Sequence, residues 1–342
     1  MNITKNKPIN LLLALACLQL TPSCAPLLKA GAVDIEVPQH FEHQSKQPGN
    51  TAEMQWASFF DDPQLEALID AALANNQEIK IAMQDIHMAN NEVYARTGEY
   101  APFLSFKSTA DVEKVGRYTR NGAVEANTEM RPGEAFPEPL PNFMVGVFAS
   151  WELDVWKRLR NARDVAVFER MATVEGRRFL ITRLVAEIAN AYYELMALDN
   201  KLKNLEESIA IQTKVLRIIR LLKQAARSNE LAVKRFEAEV QKNQSQVYVL
   251  RQEVAETENK LNYLIGRRPQ PIVRDPSRFA AFQPKTMASG LPSQLLNNRP
   301  DIKQAENELA ATDLNVQVAK AQFYPSFGMN AGLGYQAFNP LY

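Results

Sequence analysis

The alternation of hydrophobic and polar residues changes period several times along the chain, and each change predicts a different element. Apolar residues recur with helical spacing from Pro63 to about Glu99, and Pro102 ends this helix. Two segments that alternate residue by residue follow, at about 103–118 and about 143–155. The stretch that alternates within each segment is about 10–13 residues long, the length of a tilted strand that crosses a bilayer. We therefore predict two transmembrane β-strands, with an ordinary hairpin of a soluble sheet as the alternative.

The two sides of these predicted strands differ in polarity. One side carries apolar residues such as Phe106, Val147 and Leu153, which we expect to meet lipid. The opposite side carries polar and charged residues, which we expect to line a water-filled pore. The predicted pore-lining residues are Lys107, Asp111, Glu113, Ser150, Glu152 and Asp154. Glu152 and Asp154 could also be a catalytic pair of carboxylates, but the strand pattern favours a pore lining.

A long helical hairpin is predicted from about residue 157 to 265, where the chain contains no proline and one glycine, Gly176. Apolar residues recur there in steps of three and four, which is typical of a coiled coil. A polar cluster interrupts the pattern and predicts a turn between two antiparallel helices. The residues of this turn are Ala225, Ala226, Arg227, Ser228 and Asn229. The first helix, of about 65 residues, would be roughly 100 Å long, which suits a protein that bridges two structures.

The chain also repeats itself. Residues that align without a gap include Leu68 with Leu291, Ile79 with Ile302, Val93 with Val316 and Pro102 with Pro325. An alternating segment follows Pro325, just as one follows Pro102. We predict a duplicated unit of helix, two strands and a long hairpin, with residues 63–286 as the first copy and 287–342 as an incomplete second copy. The two copies are offset by about the distance from Leu68 to Leu291. The counterpart of Ile265, the end of the first hairpin, would therefore lie at about residue 488 in a complete second copy.

The N-terminus has the organisation of an export signal, predicted at residues 1–23. Two lysines precede an apolar stretch, and a small residue, Ser23, precedes Cys24. A cysteine in this position is the acylated residue of bacterial lipoproteins, so we predict a covalent lipid anchor on Cys24, with Cys17 as the competing position. Residues 24–62 hold no periodic segment and are predicted to be an extended, lipid-anchored arm.

Composition excludes several classes of protein. The 39 basic and 39 acidic residues cancel, which argues against nucleic-acid binding through a global positive field. No apolar run reaches the about 18–20 residues that a membrane-spanning helix needs, so an α-helical membrane protein is excluded. Both cysteines lie in the N-terminal region, so the body carries no disulfide framework.

We find no sequence signature of an enzyme or of a metal site. His40 and His43 have a spacing that a metal could use, but they lie in the predicted arm, and His87 is remote. Solvated polar side chains explain them better. The chain contains no nucleophile elbow, phosphate-binding loop or metal-binding helix motif. We therefore expect no catalytic residue and no cofactor apart from the lipid on Cys24.

Three phrases resemble the TolC superfamily of outer-membrane efflux channels, most closely its lipoprotein branch, often called NodT-like. They are PQLEALIDAALANNQEIKIA (63–82), SWELDVWKRLRNARD (150–164) and NRPDIKQAENELAATDLNVQVAKAQFYPSF (298–327). The resemblance extends from about residue 24 to 342. It implies an α+β membrane channel in which a long antiparallel coiled-coil helical barrel continues a transmembrane β-barrel.

The resemblance also implies an assembly. It implies a homotrimer in which each chain gives four strands to one 12-stranded barrel, with outer-membrane lipid around it. The helices would form a periplasmic tunnel that docks on an adaptor and an inner-membrane pump. About eight strands are needed to close a barrel, so four strands per chain independently require several chains. The chain departs from the family at the hairpin turn: the family usually has a glycine before a serine there, and this chain has the residues 225–229, AARSN.

The function that the sequence favours is a passive exit duct of an efflux or secretion system. The alternative is a periplasmic coiled-coil adaptor or scaffold protein without a pore. Strands of lipid-crossing length favour the duct, because an adaptor needs none.

Overall fold

The computed structural model describes residues 37–38, 54–60, 62–276, 278–279 and 291–338. The chain divides into two compact units. We call them the sheet unit, with its described residues at 93–166 and 311–338, and the helix unit, with its described residues between 37 and 92 and between 167 and 310.

Eight helices and five strands are found in the described part of the chain. The helices are α1 (Trp56–Phe60), α2 (Pro63–Asn75), α3 (Gln77–Tyr100), α4 (Arg120–Asn127), α5 (Arg158–Gln224), α6 (Glu230–Ile265), α7 (Pro292–Asn298) and α8 (Pro300–Ala321). The strands are β1 (Phe103–Glu113), β2 (Glu129–Arg131), β3 (Glu134–Ala135), β4 (Leu140–Leu153) and β5 (Phe327–Phe338). None of the described helices combines the length and the apolarity that a membrane crossing requires.

Three strands of the sheet unit form one antiparallel sheet in the order β1-β4-β5. Phe106 lies opposite Val147, which in turn lies opposite Leu333, so the apolar positions of the three strands share one side. This register confirms the side of the sheet to which the sequence assigned each of these residues. β2 and β3 form a separate two-stranded hairpin in the segment of chain that connects β1 to β4.

The strand ends differ by a few residues from the predicted ones. β1 ends at Glu113 rather than near residue 118, because Gly116 and Thr119 form a turn and the Thr119 hydroxyl then accepts the Gly122 N–H and caps α4. β4 begins at Leu140, before the predicted position, because its first residues still pair with β1. Each strand is long enough to cross a bilayer, at 11, 14 and 12 residues for β1, β4 and β5.

The helix unit has its main core where α2, α5 and α6 meet. Leu65, Ile69, Ile188, Leu195 and Leu261 are fully buried there. Tyr192 is also fully buried, and its hydroxyl donates to the Asp62 carboxylate that caps α2. Burial raises the pKa of Tyr192, and the negative charge of Asp62 raises it further, so this hydroxyl is a permanent donor.

The single helix predicted from Pro63 to about Glu99 is divided into α2 and α3 at Asn76. The Asn76 amide donates to the Leu264 carbonyl at 2.8 Å, and its oxygen accepts the Ile79 N–H at 3.1 Å. Asn76 therefore ends one helix, caps the next and fastens both to α6. Helical periodicity alone does not reveal this break, because the apolar spacing continues through it.

The predicted helical hairpin is formed by α5 and α6. Val233, Val240, Val247 and Leu250 of the predicted heptad face are buried. The Asn243 amide of the same face donates to Gln212 of α5 at 2.9 Å.

A helix, a proline and a strand follow one another twice along the described chain. α3 leads into β1 through Pro102, and α8 leads into β5 through Pro325. The two corresponding strands lie on either side of β4 in the same sheet.

Candidate functional site: a two-faced sheet and a hairpin turn

One side of the sheet is an exposed apolar surface. The side chains of Phe106, Val147 and Leu333 form a row across the three strands and are 70%, 50% and 85% exposed. Phe143, Val145 and Tyr335 continue this surface. A contiguous apolar surface of this kind is costly in water and is typical of a surface that meets lipid or another protein. We call it the apolar face.

The opposite side of the sheet carries the predicted pore-lining residues of the strands. Lys107 lies opposite Gly146, Asp111 opposite Asn142, and Ser150 opposite Asn330. Glu113 and Glu152 lie on the same side, by the two-residue period of their strands. The structure therefore brings these five residues to one side, which we call the polar face; that they line a pore stays a prediction.

An aromatic ring interrupts the polar face. Phe148 lies directly opposite Gly332, and a Cβ added to Gly332 would come within 2.7 Å of its ring. The Lys107 ammonium also lies over the Phe148 ring, 5.3 Å from the ring centroid. Glycine at position 332 thus leaves the space that the ring fills. Phe148 lies on the polar face by the two-residue period of its strand, but the spacing gives no indication of this packing.

Asp154 has a different place from the one predicted. β4 ends at Leu153, and the Asp154 carboxylate accepts the backbone N–H groups of Leu159 and Arg160, each at 2.9 Å. Its side chain is only 1% exposed. Asp154 therefore caps the first turn of α5 rather than standing on the strand, which corrects its assignment to the strand face.

The environment of Asp154 favours its charged form. Burial by itself raises the pKa of this carboxyl, but the two backbone hydrogen bonds and the Arg160 guanidinium outweigh burial and lower it. The carboxylate also complements the positive N-terminal end of the α5 dipole. Nearby, the Arg158 Nη2 group donates to both carboxylate oxygens of Glu152, at 2.8 and 2.9 Å.

Aromatic side chains surround the same end of the sheet. The Trp156 ring stacks on Tyr324 with centroids 4.6 Å apart, and its indole N–H donates to the Pro325 carbonyl at 2.9 Å. The Trp151 indole N–H donates to the Tyr100 carbonyl at 3.0 Å. Tryptophan and tyrosine with one apolar side and one hydrogen-bonded edge are enriched where a bilayer meets water.

The opposite end of the sheet carries a connecting segment with its own ion pairs. Glu138 contacts Arg117 at 3.2 Å and Lys114 at 3.6 Å. The hydrogen bond from Arg117 lowers the pKa of Glu138. The segment between β1 and β4 is thus held together by its own charged side chains.

The predicted turn joins α5 and α6. The Ala226 N–H donates to the Lys223 carbonyl and the Arg227 N–H to the Leu222 carbonyl, a Schellman ending of α5. Ala226 has φ +58°, a left-handed conformation for which glycine is usual. The Asn229 side chain accepts the Ala232 N–H at 2.9 Å and caps α6. Between the two caps, Arg227 is exposed and Ser228 is half-buried.

The Lys223 and Glu230 side chains form an ion pair across the base of the turn. The hydrogen bond from Lys223 lowers the pKa of Glu230. Two helix caps and this ion pair therefore determine the conformation of the turn in the absence of glycine.

Several predicted features lie outside the described residues. These are the export signal, Cys17, Cys24, and the histidines His40 and His43. Within the described ranges, no group of three or more His, Cys, Asp or Glu side chains is placed to hold a metal ion.

The sheet unit has one apolar and one polar face, and the helix unit contains long antiparallel helices. These two features are typical of outer-membrane channels with a helical extension. Comparison with known proteins agrees with this class. The chain belongs to the outer membrane efflux protein family, whose model matches residues 68–267 and 291–339. Its localisation is therefore the outer membrane, and the resemblance to the TolC superfamily is confirmed.

Two curated relatives come from Pseudomonas putida. The pyoverdine export outer membrane protein OpmQ is 28% identical over 85% of this chain and 61% of its own length. The solvent efflux pump outer membrane protein SrpC is 28% identical over 81% of this chain and 56% of its own length. The chain thus spans less than two thirds of the length of these relatives.

The fold is also that of solved channels. The open state of the Neisseria gonorrhoeae MtrE outer membrane channel superposes with a TM-score of 0.72, at 21% identity, over 89% of this chain and 68% of that one. This similarity confirms the predicted fold class of helical barrel and β-barrel.

Proposed function

We propose that the chain forms the wall of a passive exit duct through the outer membrane, in a tripartite efflux or secretion system. The observation that carries the proposal is the sheet, whose three strands have bilayer-crossing length, one exposed apolar face and one polar face. OpmQ and SrpC are export and efflux proteins of the outer membrane, and the similarity of this chain to them supports the proposal. An adaptor or scaffold protein without a pore has no use for such strands.

The edges of the sheet support an assembly of several copies. Within the described residues, β1 and β5 are edge strands, each with backbone groups that no other strand of the sheet pairs. In hydrocarbon, each unpaired backbone group costs several kcal/mol of free energy, so an open sheet edge is not tolerated there. We propose that further strands, including those of other copies, close the barrel, and that the assembly is a homotrimer.

The polar face would provide the water-filled path. Lys107, Asp111, Glu113 and Ser150 lie on this side of the strands, together with the ion-paired Glu152. Opposite charges along one face would bias the entry of solutes without forming a tight binding site. The duct would perform no catalysis and bind no cofactor, and the partner pump would supply the energy of transport.

The hairpin turn would dock on a periplasmic adaptor, which in turn contacts the inner-membrane pump. Leu221 and Leu231 are 56% and 75% exposed beside Arg227 and Ser228, so the turn presents apolar and polar groups together. This combination is typical of the core and rim of a protein interface. The turn residues Ala225, Ala226, Arg227, Ser228 and Asn229 would form the docking tip.

The lipid anchor on Cys24 is a further part of the proposal. Acyl chains contribute about 0.8 kcal/mol per buried CH2, so they would hold the mature N-terminus at the membrane. Labelled palmitate should be incorporated in the wild type and in Cys17→Ser, but not in Cys24→Ser. Incorporation in Cys24→Ser would refute acylation at this residue.

Single-channel recording of the purified protein in a planar bilayer under a salt gradient tests the duct. Uniform conductance steps are expected from a chain that carries both copies of the predicted repeat in full. Lys107→Glu should shift the reversal potential towards cation preference, because the charge lies on the polar face, whereas Arg96→Glu in α3 should change it less. Absence of steps would contradict the duct. Steps with an unchanged reversal potential in Lys107→Glu would place the conducting path elsewhere.

A further inference from the structure

Positive charge is concentrated where β4 leads into α5. Lys157, Arg158, Arg160 and Arg163 fall at the start of this helix, whose first turn has no acidic residue. Positive charge is unfavourable there, because the helix dipole already makes the N-terminus positive. Helix stability therefore does not explain these four residues.

Carboxylates within the chain account for the three arginines. Arg158 pairs with Glu152, Arg160 with Asp154 and Arg163 with Asp164, at 2.8, 3.2 and 2.5 Å. Lys157 is the remaining cation. Its side chain is exposed, and no ion pair or hydrogen bond of its ammonium group is found among the described residues.

The backbone also disfavours a lysine at this position. Lys157 has φ +58°, in the left-handed region that glycine adopts most readily. Its carbonyl accepts the Asn161 N–H, which makes Lys157 the N-cap residue of α5. A lysine side chain has no acceptor and cannot cap a helix, and Asp154 performs that task instead. Neither conformation nor capping explains the choice of lysine.

The surroundings of Lys157 identify the kind of partner. Leu153, opposite Phe327, ends the apolar face of β4 and β5, and Lys157 follows four residues later. Trp156, whose ring stacks on Tyr324, directly precedes it in the sequence, and both residue types are enriched at the level of lipid headgroups. Along the chain, the last apolar residue of β4 is thus followed by an aromatic residue and then by this cation. Phospholipids present the complementary series of acyl chains, glycerol backbone and anionic phosphate.

We propose that Lys157 binds the phosphate of anionic phospholipid headgroups at the bilayer surface that borders the apolar face. A lysine can extend its methylene chain along apolar surface and place its ammonium at the phosphate level. This interaction goes beyond the role of the duct. It depends on the sheet lying in a membrane, but not on conduction.

The test measures thermal unfolding of the purified protein in neutral detergent, titrated with phosphatidylglycerol or phosphatidylcholine. The wild type should respond at lower concentrations of phosphatidylglycerol than of phosphatidylcholine. Lys157→Gly should weaken the apparent affinity for phosphatidylglycerol about fivefold, the factor that one lysine contributes near an anionic surface, and leave the response to phosphatidylcholine unchanged. Lys157→Arg should restore the preference.

Two controls separate lipid binding from folding. Lys157→Gly relieves a left-handed residue, so without lipid its Tm should equal or exceed that of the wild type. Ala226→Gly relieves the same φ of +58° without changing charge, and it should keep the preference for phosphatidylglycerol. Inorganic phosphate should leave the Tm of every variant unchanged.

Three results would overturn the proposal. The first is an equal response of wild type and Lys157→Gly to phosphatidylglycerol. The second is a phosphate effect as large as that of phosphatidylglycerol, which would assign the contact to free phosphate. The third is no response of the wild type to either lipid, which would also contradict the membrane placement of the sheet. The duct proposal has its own test, by conductance.

Discussion

Val147 in β4 lies directly opposite Leu333 in β5, and both side chains stand on the exposed apolar side of the sheet. Phe106 of β1 completes the row. Three strands from distant parts of the chain therefore present one continuous apolar surface. The account of this protein depends on the interpretation that lipid covers this surface and water covers the other.

The first prediction compares arginine on the two faces. Val147→Arg should reduce the free energy of membrane assembly by about 2–4 kcal/mol near the midplane, because lipid cannot solvate the charge. Ser150→Arg, on the polar face of the same strand, should cost much less. The yield of heat-modifiable protein in the outer membrane measures both. Equal losses would show that the faces are wrongly assigned.

The second prediction concerns the ring on the polar face. Gly332→Ala should destabilise the protein by about 1–3 kcal/mol, because the new methyl group overlaps the Phe148 ring and forces the strand or the ring to move. Gly328 is the matched control, since a Cβ there meets nothing within 4 Å. Gly328→Ala should leave the Tm nearly unchanged. Equal effects in both variants would refute the packing of Phe148 on Gly332.

The third prediction uses the charge of Asp154. Its pKa is lower in the folded protein than the usual value of about 3.9, so the stabilisation is complete above that pH and is lost as pH falls through the folded pKa. Asp154→Asn keeps a capping oxygen but cannot titrate. The Tm difference between wild type and Asp154→Asn should therefore shrink below about pH 4.

Loss of the cap itself is tested by a second variant. Asp154→Ala should cost about 0.5–2 kcal/mol at pH 7, because it leaves the Leu159 and Arg160 N–H groups without their acceptor. A pH-independent difference between wild type and Asp154→Asn would show that the carboxylate contributes no charge effect.

The fourth prediction concerns Arg274, which joins the segment after α6 to both long helices. Its guanidinium contacts Asp199 and Glu258, each at 2.5 Å, and is only 13% exposed. Arg274→Met should destabilise the helix unit by about 3 kcal/mol, because it leaves two carboxylates without their counter-charge. Arg251→Met removes an exposed pair with Glu206 and should cost about 1 kcal/mol or less. Equal costs would show that the Arg274 contacts do not stabilise the unit.

Periodicity predicted the elements that repeat a regular pattern. The strands, their two faces and the buried side of α6 follow from spacing alone, because side chains alternate every two residues in a strand and return after three or four in a helix. The aligned prolines Pro102 and Pro325 likewise led to the prediction of a duplication. The polar-face residues of the strands were found for the same reason.

Periodicity could not predict features that depend on contacts between distant residues. Asn76 breaks a helix because it bonds to Leu264, which is far away in sequence. Asp154 continues the alternation of β4, so only its contacts with Leu159 and Arg160 distinguish a cap from a strand residue. The packing of Phe148 on Gly332 depends on which residues two strands bring opposite each other.

The most direct test of the two-faced sheet is thiol accessibility in isolated outer membranes. Cysteines placed singly at Val147 and Ser150 lie on opposite faces of β4, and the wild type is the background control because both of its cysteines precede residue 25. The account predicts that a charged, membrane-impermeant maleimide labels Ser150→Cys and leaves Val147→Cys unlabelled, while a lipophilic maleimide labels Val147→Cys. Equal labelling of both variants by the charged reagent, or labelling of Val147→Cys alone, would contradict it.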